Sequence, residues 1–221
     1  MTAESRPVPT VRSTREVIIE AALRGFGEKG FAATSVREIA AAAGTNIASI
    51  SYHFGGKEGL RDACAEHIVR LMGDALAAAR PGEPLPPDPL AAAETLAGLV
   101  RSLVRFLLLE PQGPLVAGFM LREMAHPSSA LDTIYEGLFD GVHRTACAVW
   151  ATATGRPAES EAVRLAVFAV IGQILYFRIA APVVERRMGW PGIGPAEAEA
   201  IAGTVLRNLT LRLDADRRDV P

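Results

Sequence analysis

The chain has 221 residues, of which 49% are hydrophobic and 6% aromatic, and a net charge of −2 at neutral pH. That apolar content excludes a disordered chain, and the near-balanced charge excludes a protein that coats nucleic acid by bulk charge. The length allows one or two domains, and the abundance of Ala and Leu with few β-branched runs points to an all-α fold.

Residues 1–12 are polar, carry Pro7 and Pro9, and read as a flexible arm; the alternative is a basic arm using Arg6 and Arg12. Helical periodicity starts near Ser13, with Val17, Ile18, Ala21, Ala22 and Phe26 forming one stripe, and Gly30 is placed as a left-handed cap. Ser35 and Glu38 spell a capping box that opens a second short helix with Val36, Ile39 and Ala40 inside. Gly44 supplies a turn, a third helix runs from about Asn46 to Phe54, and Lys57 opens a fourth that reaches about Ala79. Five prolines between residues 81 and 89 end helical structure there. Further stripes predict helices over about 90–109, 113–125, 129–154, 160–187 and 195–213, followed by a frayed, charged tail over 214–221. The resulting organisation is an arm (1–12), a small domain (13–60), a linker helix (61–80), a larger helical domain (90–213) and the tail.

Helix, glycine turn, helix over Thr34–Leu60 is the layout of a helix-turn-helix. Residues 1–57 carry seven Lys and Arg against five Glu, a mild positive bias that permits DNA contact without demanding it. Asn46, Ser49 and His53 share an outward face of the third helix, with Thr45, Ala48 and Tyr52 beside them. That face is small and polar, suited to a major groove. Lys57 can hold a phosphate at a helix start, and Ser35 and Arg37 can hold the flanking one. The opposite reading stays open for single positions: His53 can pack the turn, and Ser49 and Ser51 can be plain solvated residues.

The segment TSVREIAAAAGTNIASISYHFGGKEGL, with the preceding helix and "GF", resembles the TetR/AcrR family of transcriptional regulators over about residues 13–60. The resemblance implies that Ser35, Arg37, Thr45, Ala48, Ser49, Tyr52, His53 and Lys57 occupy positions that the family uses against DNA. Ile47, Ser51 and Gly55-Gly56 depart from its common pattern, which bears on base-level specificity. "GQILYFRIAAPVVERRMGW" and "LREMAHPSSALDTIYE" resemble the C-terminal domain of the CecR-like branch. That implies a ligand-binding and dimerisation domain, hence operator DNA, a second copy of the chain and a small apolar or amphipathic effector as partners.

For dimerisation, the faces formed by Val163, Ala166, Val167, Val170, Ile174 and Phe177, and by Ile201, Val205, Leu206 and Leu209, can pack as a four-helix bundle between two chains; the alternative is that they are internal core. Candidate pocket residues are Phe106, Phe119, Met120, Met124, Tyr135, Phe139, His143, Trp150, Gln173 and Phe177, each of which can equally be core. Glu123, His126, Gln173 and Arg178 are candidate polar anchors, Arg178 alternatively a dimer salt-bridge residue.

Gly25, Gly27 and Gly30 spell GxGxxG, but this segment closes a helix, whereas a dinucleotide fingerprint opens one after a strand. No other catalytic motif is present, the four histidines lack ligand spacing, and Cys64 and Cys147 read as buried small hydrophobes rather than redox sensors. The expectation is a cytoplasmic DNA-binding repressor with no cofactor, no metal and no enzymatic activity. No stretch reaches roughly 18 uninterrupted apolar residues, so no membrane partner is expected. A helical adaptor without DNA binding is the rival reading.

Overall fold

The structure is a computed structural model that describes residues 13–77 and 84–218. The N-terminal arm, residues 78–83 and the last three residues of the expected tail, 219–221, lie outside the described residues. Eleven α-helices are described, with no strand among the described residues.

The first three helices are α1 (Thr14–Lys29), α2 (Val36–Ala42) and α3 (Ile47–Phe54). Each starts on a side-chain cap. Ser13 and Glu16 form a capping box, Ser35 and Glu38 a second, and Asn46 Oδ1 accepts from the Ser49 amide at 2.9 Å. Such caps contribute about 1 kcal/mol each. Ile18, Ile19, Leu23, Phe26, Ile39 and Ile50 are fully buried where the three helices meet. Gly44 adopts φ +64° at the α2–α3 turn, as expected. Gly30 also has positive φ, but with ψ 162° it lies in an extended region reserved for glycine and not in the left-handed helical basin.

Next, α4 (Lys57–Ala75) runs from the base of α3 into the second half of the chain. It ends short of the expected Ala79, because Leu76 leaves helical geometry and buries its side chain. After it come α5 (Pro89–Leu108), capped by Asp88, and α6 (Gly113–Ala125). The expected single helix over 129–154 is α7 (Ser129–Ile134), one π-helical turn (Tyr135–Phe139) and α8 (Asp140–Thr154). The helix expected over 160–187 is split into α9 (Glu161–Ile179) and α10 (Ala181–Met188). Pro182 lacks an N–H and its ring clashes with the carbonyl four residues back, which forces the break at Ala180.

The last helix, α11 (Pro195–Arg218), outruns its expected end at Leu213. Residues 214–218 are therefore ordered helix and not a frayed tail. Asp216 is the anchor: it is 3% exposed and accepts from Trp150 Nε1 at 3.0 Å and Arg212 Nε at 3.1 Å, with Arg156 Nε at 3.4 Å.

The faces assigned above to a dimer bundle are internal. Val163, Ala166, Val167, Ile174, Ile201, Val205 and Leu209 are buried within this chain, and Val170, Phe177 and Leu206 pack half-buried on the same core. Helices with an apolar stripe must cover it, and α8, α9 and α11 cover one another.

Candidate DNA-reading face and effector cavity

Ile50 is buried against the core, so α3 must turn its other side outward. Ala48, Tyr52 and His53 are exposed, Tyr52 at 86%; Thr45 and Ser49 are half-buried. Thr45 Oγ1 donates to Ser49 Oγ at 3.0 Å, and Ser49 Oγ donates to Asn46 Oδ1 at 3.2 Å. Asn46, expected on the reading face, is thus first the helix cap, with its carbonyl oxygen committed inside the chain. The His53 ring lies between Tyr52 and Phe54, 5.1 and 6.0 Å away. Ile47, one of the departures from the family pattern, is 44% exposed beside this face.

Ser35 and Arg37 are exposed at the start of α2. Lys29 Nζ bonds Glu38 at 2.8 Å and, with the Ser35 amide and hydroxyl, holds the Glu38 carboxyl down to about 2. The brace is therefore complete at neutral pH and is lost only as pH falls below the ordinary carboxylate range towards that value. Lys57 Nζ sits 4.4 Å from the Phe31 ring centre, and Arg61 stacks on the same ring at 4.1 Å. Its helix, α4, begins at Gly56 with no side-chain cap, which leaves first-turn amides available to a phosphate.

The two halves of the chain meet where α1 crosses α6. A Cβ on Gly27 would lie 3.0 Å from the Phe119 amide nitrogen and 3.1 Å from the Gly118 carbonyl carbon, so two glycines let the backbones touch. Arg122 of α6 donates to the carbonyls of Gly27 and Glu28 at 3.3 and 2.9 Å, capping the end of α1. Gly25 makes room for Thr34, whose hydroxyl bonds the Gly25 and Gly30 carbonyls. The GxGxxG spelling is accounted for by two close packing contacts, at Gly25 and Gly27, and by the glycine-only backbone conformation of Gly30.

A cavity of about 130 Å³ lies among α4, α5, α6, α8, α9 and α11. Met120, Met124, Phe139, His143 and Trp150 line it, as the sequence candidates allowed. Five candidates lie elsewhere. Phe119 packs on Phe26 of α1, Phe106 borders a separate polar cleft, and Tyr135 is 56% exposed. Gln173 accepts from Asn208 at 2.7 Å, and Phe177 stacks edge-on against Tyr176. Among the proposed anchors, Glu123 is buried and bonded by Ser128; Glu123, His126 and Arg178 do not line the cavity. The walls missed from sequence are plain aliphatics on α5, such as Leu96, Val100, Leu103 and Leu107. Their three- and four-residue spacing was visible, but it marks any core-facing helix.

Cys64 and Cys147 are both fully buried. Burial pushes the Cys147 thiol up to about 11 and Cys64 further still, so neither offers thiolate at neutral pH. Iodoacetamide is expected to leave both unmodified in the folded protein and to label both after denaturation, read by mass spectrometry.

An all-helical chain with an N-terminal helix-turn-helix braced against a larger helical domain has the architecture of a one-component DNA-binding regulator. The comparisons agree. Residues 18–64 match the tetR family of bacterial regulatory proteins, and residues 92–215 match the C-terminal domain of the HTH-type transcriptional dual regulator CecR. The CecR protein of Shigella flexneri is 33% identical over 95% of this chain and 96% of its own length. The probable regulator YttP of Bacillus subtilis is 54% identical over 26% of each chain. Among solved structures, AibR in complex with isovaleryl coenzyme A and operator DNA shares the fold at TM-score 0.64 and 19% identity, covering 88% of this chain and 96% of that one. A TetR-like regulator from Rhodococcus sp. RHA1 does so at 0.63 and 21%, covering 90% and 98%. The chain belongs to the TetR family of transcriptional regulators, with a C-terminal domain of the CecR type.

Proposed function

We propose that two copies of this chain bind a palindromic operator in the cytoplasm, each laying α3 in a major groove, and that a small apolar or amphipathic effector in the cavity releases the DNA, so that the protein acts as a repressor and performs no catalysis. The observation that carries this reading is the outward face of α3, small and polar around the 86%-exposed Tyr52, with Arg37 and Lys57 available for phosphates. AibR, with this fold, was crystallised with both a ligand and operator DNA. The Shigella relative is described as a dual regulator, which favours a second reading in which the bound dimer also activates at some promoters.

A two-fold operator calls for a two-fold protein. The internal faces named from sequence do not supply its interface, but α9 has another. Leu165, Phe168 and Tyr176 follow helical spacing along its outside, each more than half exposed, with Val183 exposed on α10 and Leu211 on α11. Among the described residues α9 is also the one helix long and apolar enough to cross a bilayer, though Arg164 and Arg178 interrupt it. Covering this stripe with a second copy accounts for its apolarity without a membrane. Phe168→Glu is expected to weaken the dimer by about 2 kcal/mol or more, roughly 30-fold, seen as monomer by sedimentation velocity.

The DNA assignment is tested by anisotropy on operator duplex across a salt series. Lys57→Ala is expected to weaken binding to all sequences and to lower the salt slope by about one. Tyr52→Ala is expected to weaken binding as well. Unchanged affinity in both variants would remove α3 and α4 from the interface.

A further inference from the structure

We infer that the cavity accepts an uncharged hydrocarbon group of about the bulk of a benzene ring, and that no charged or hydrogen-bonding part of an effector enters it. This rests on reading the cavity as the effector site and names the chemistry of its ligand. Two polar side chains stand in the wall, and both are already engaged. Trp150 Nε1 donates to Asp216 at 3.0 Å. His143 has one ring nitrogen 3.3 Å from the Arg164 carbonyl and the other 3.7 Å from Cys147 Sγ, and its ring stacks on Phe168 at 4.1 Å. Every other wall residue is aliphatic, aromatic or Met. The charged side chains Asp74, Arg101, Arg105 and Glu110 line the separate cleft and not this cavity.

A carboxylate, phosphate or ammonium placed here would leave water and meet no partner. An apolar group would lose nothing, and a dry apolar cavity of about 150 Å³ is known to hold benzene. At about 130 Å³ this one suits an aryl ring or a short branched alkyl group. Leu121, Met124 and Ile179 are wall residues that are also exposed, so the cavity opens between α6 and α9. The polar end of a larger effector stays at that mouth, in water.

Toluene and benzoate share a ring and differ in charge at neutral pH. Titrated into the full-length Trp190→Phe protein and read by Trp150 emission, toluene is expected to saturate, and benzoate to bind roughly tenfold more weakly or worse. Ala146→Phe fills the cavity and is expected to abolish the toluene response. If that variant melts early, Leu99→Phe, at a half-buried wall position, takes its place. Benzoate binding as tightly as toluene, no response to either, or a toluene response that survives both fillings would overturn the inference. Operator affinity is a separate reading: toluene that binds yet leaves DNA affinity unchanged upholds the cavity chemistry and defeats the release mechanism instead.

Discussion

Trp150→Ala is expected to lower the unfolding free energy by about 3–5 kcal/mol, a fall in Tm of roughly 6–20 °C. Trp150 is 1% exposed, and it does two jobs. Its ring walls the cavity, so truncation removes buried aromatic area and leaves a void that the rigid α5, α8 and α9 cannot fill. Its Nε1 also satisfies Asp216, which holds the last turns of α11 against α8. With that donor gone, the buried carboxylate keeps only Arg156 and Arg212, and Arg212 is half-exposed. Trp150→Phe separates the two effects: it keeps most of the ring and loses the hydrogen bond, and is expected to cost clearly less. Thermal unfolding followed by circular dichroism reads both. Equal losses in the two variants would place the whole effect in the hydrogen bond.

Gly27→Leu is expected to force α1 and α6 apart, costing about 1–3 kcal/mol by overpacking. The first added carbon already meets backbone atoms of Gly118 and Phe119 at 3.0–3.1 Å, and backbone cannot swing aside as a side-chain tip can. The functional consequence is the larger one. α6 carries Ala117, Met120, Leu121 and Met124 in the cavity wall, and on another face Gly118 and Arg122 hold the end of α1. Under the proposed release mechanism, a shift of α6 is expected to pass through this crossing to α1, which packs against α2. An effector moves the equilibrium only if it favours one α6 position over the other. The variant, already displaced, is expected to bind operator poorly and to respond little to effector, while retaining helical circular dichroism. Wild-type operator affinity in a folded Gly27→Leu protein would show that the crossing does not couple the two halves.

Helix α3 and its supports are legible in the sequence because they depend on short-range chemistry. Ser35 with Glu38, Gly44, and the spacing of Ile39 and Ile50 each specify local geometry within a few residues, and the structure follows them. The break at Ala180 was also available, since Pro182 stood inside the stripe taken as one helix. The π turn over Tyr135–Phe139 has no comparable signal; it sets Phe139 into the cavity while Gly137 abuts Val69 of α4, a tertiary fit. Asp216 lay in a charged run that reads as solvated, and its burial depends on Trp150, 66 residues away in sequence. The cavity was legible only in part. Bulky and polar residues stand out as candidates, but an apolar chamber is walled largely by ordinary Leu, Val and Ile, and sequence does not separate those from a filled core. For the same reason the spacing on α9 picks out its buried face, Val163 to Ile174, and not the exposed Leu165, Phe168 and Tyr176, because that helix is apolar on nearly every side.

Recognition of a palindromic duplex by two copies of this chain is open to direct selection. The purified protein is used to enrich duplexes from a random pool in excess nonspecific competitor, and the bound species is weighed by sedimentation. The expected product is an inverted repeat whose half-sites lie about one helical turn or a multiple of it apart, about 34 Å per turn, bound by an even number of chains. Failure to enrich any sequence, or tight binding of a single half-site by a monomer, would contradict it.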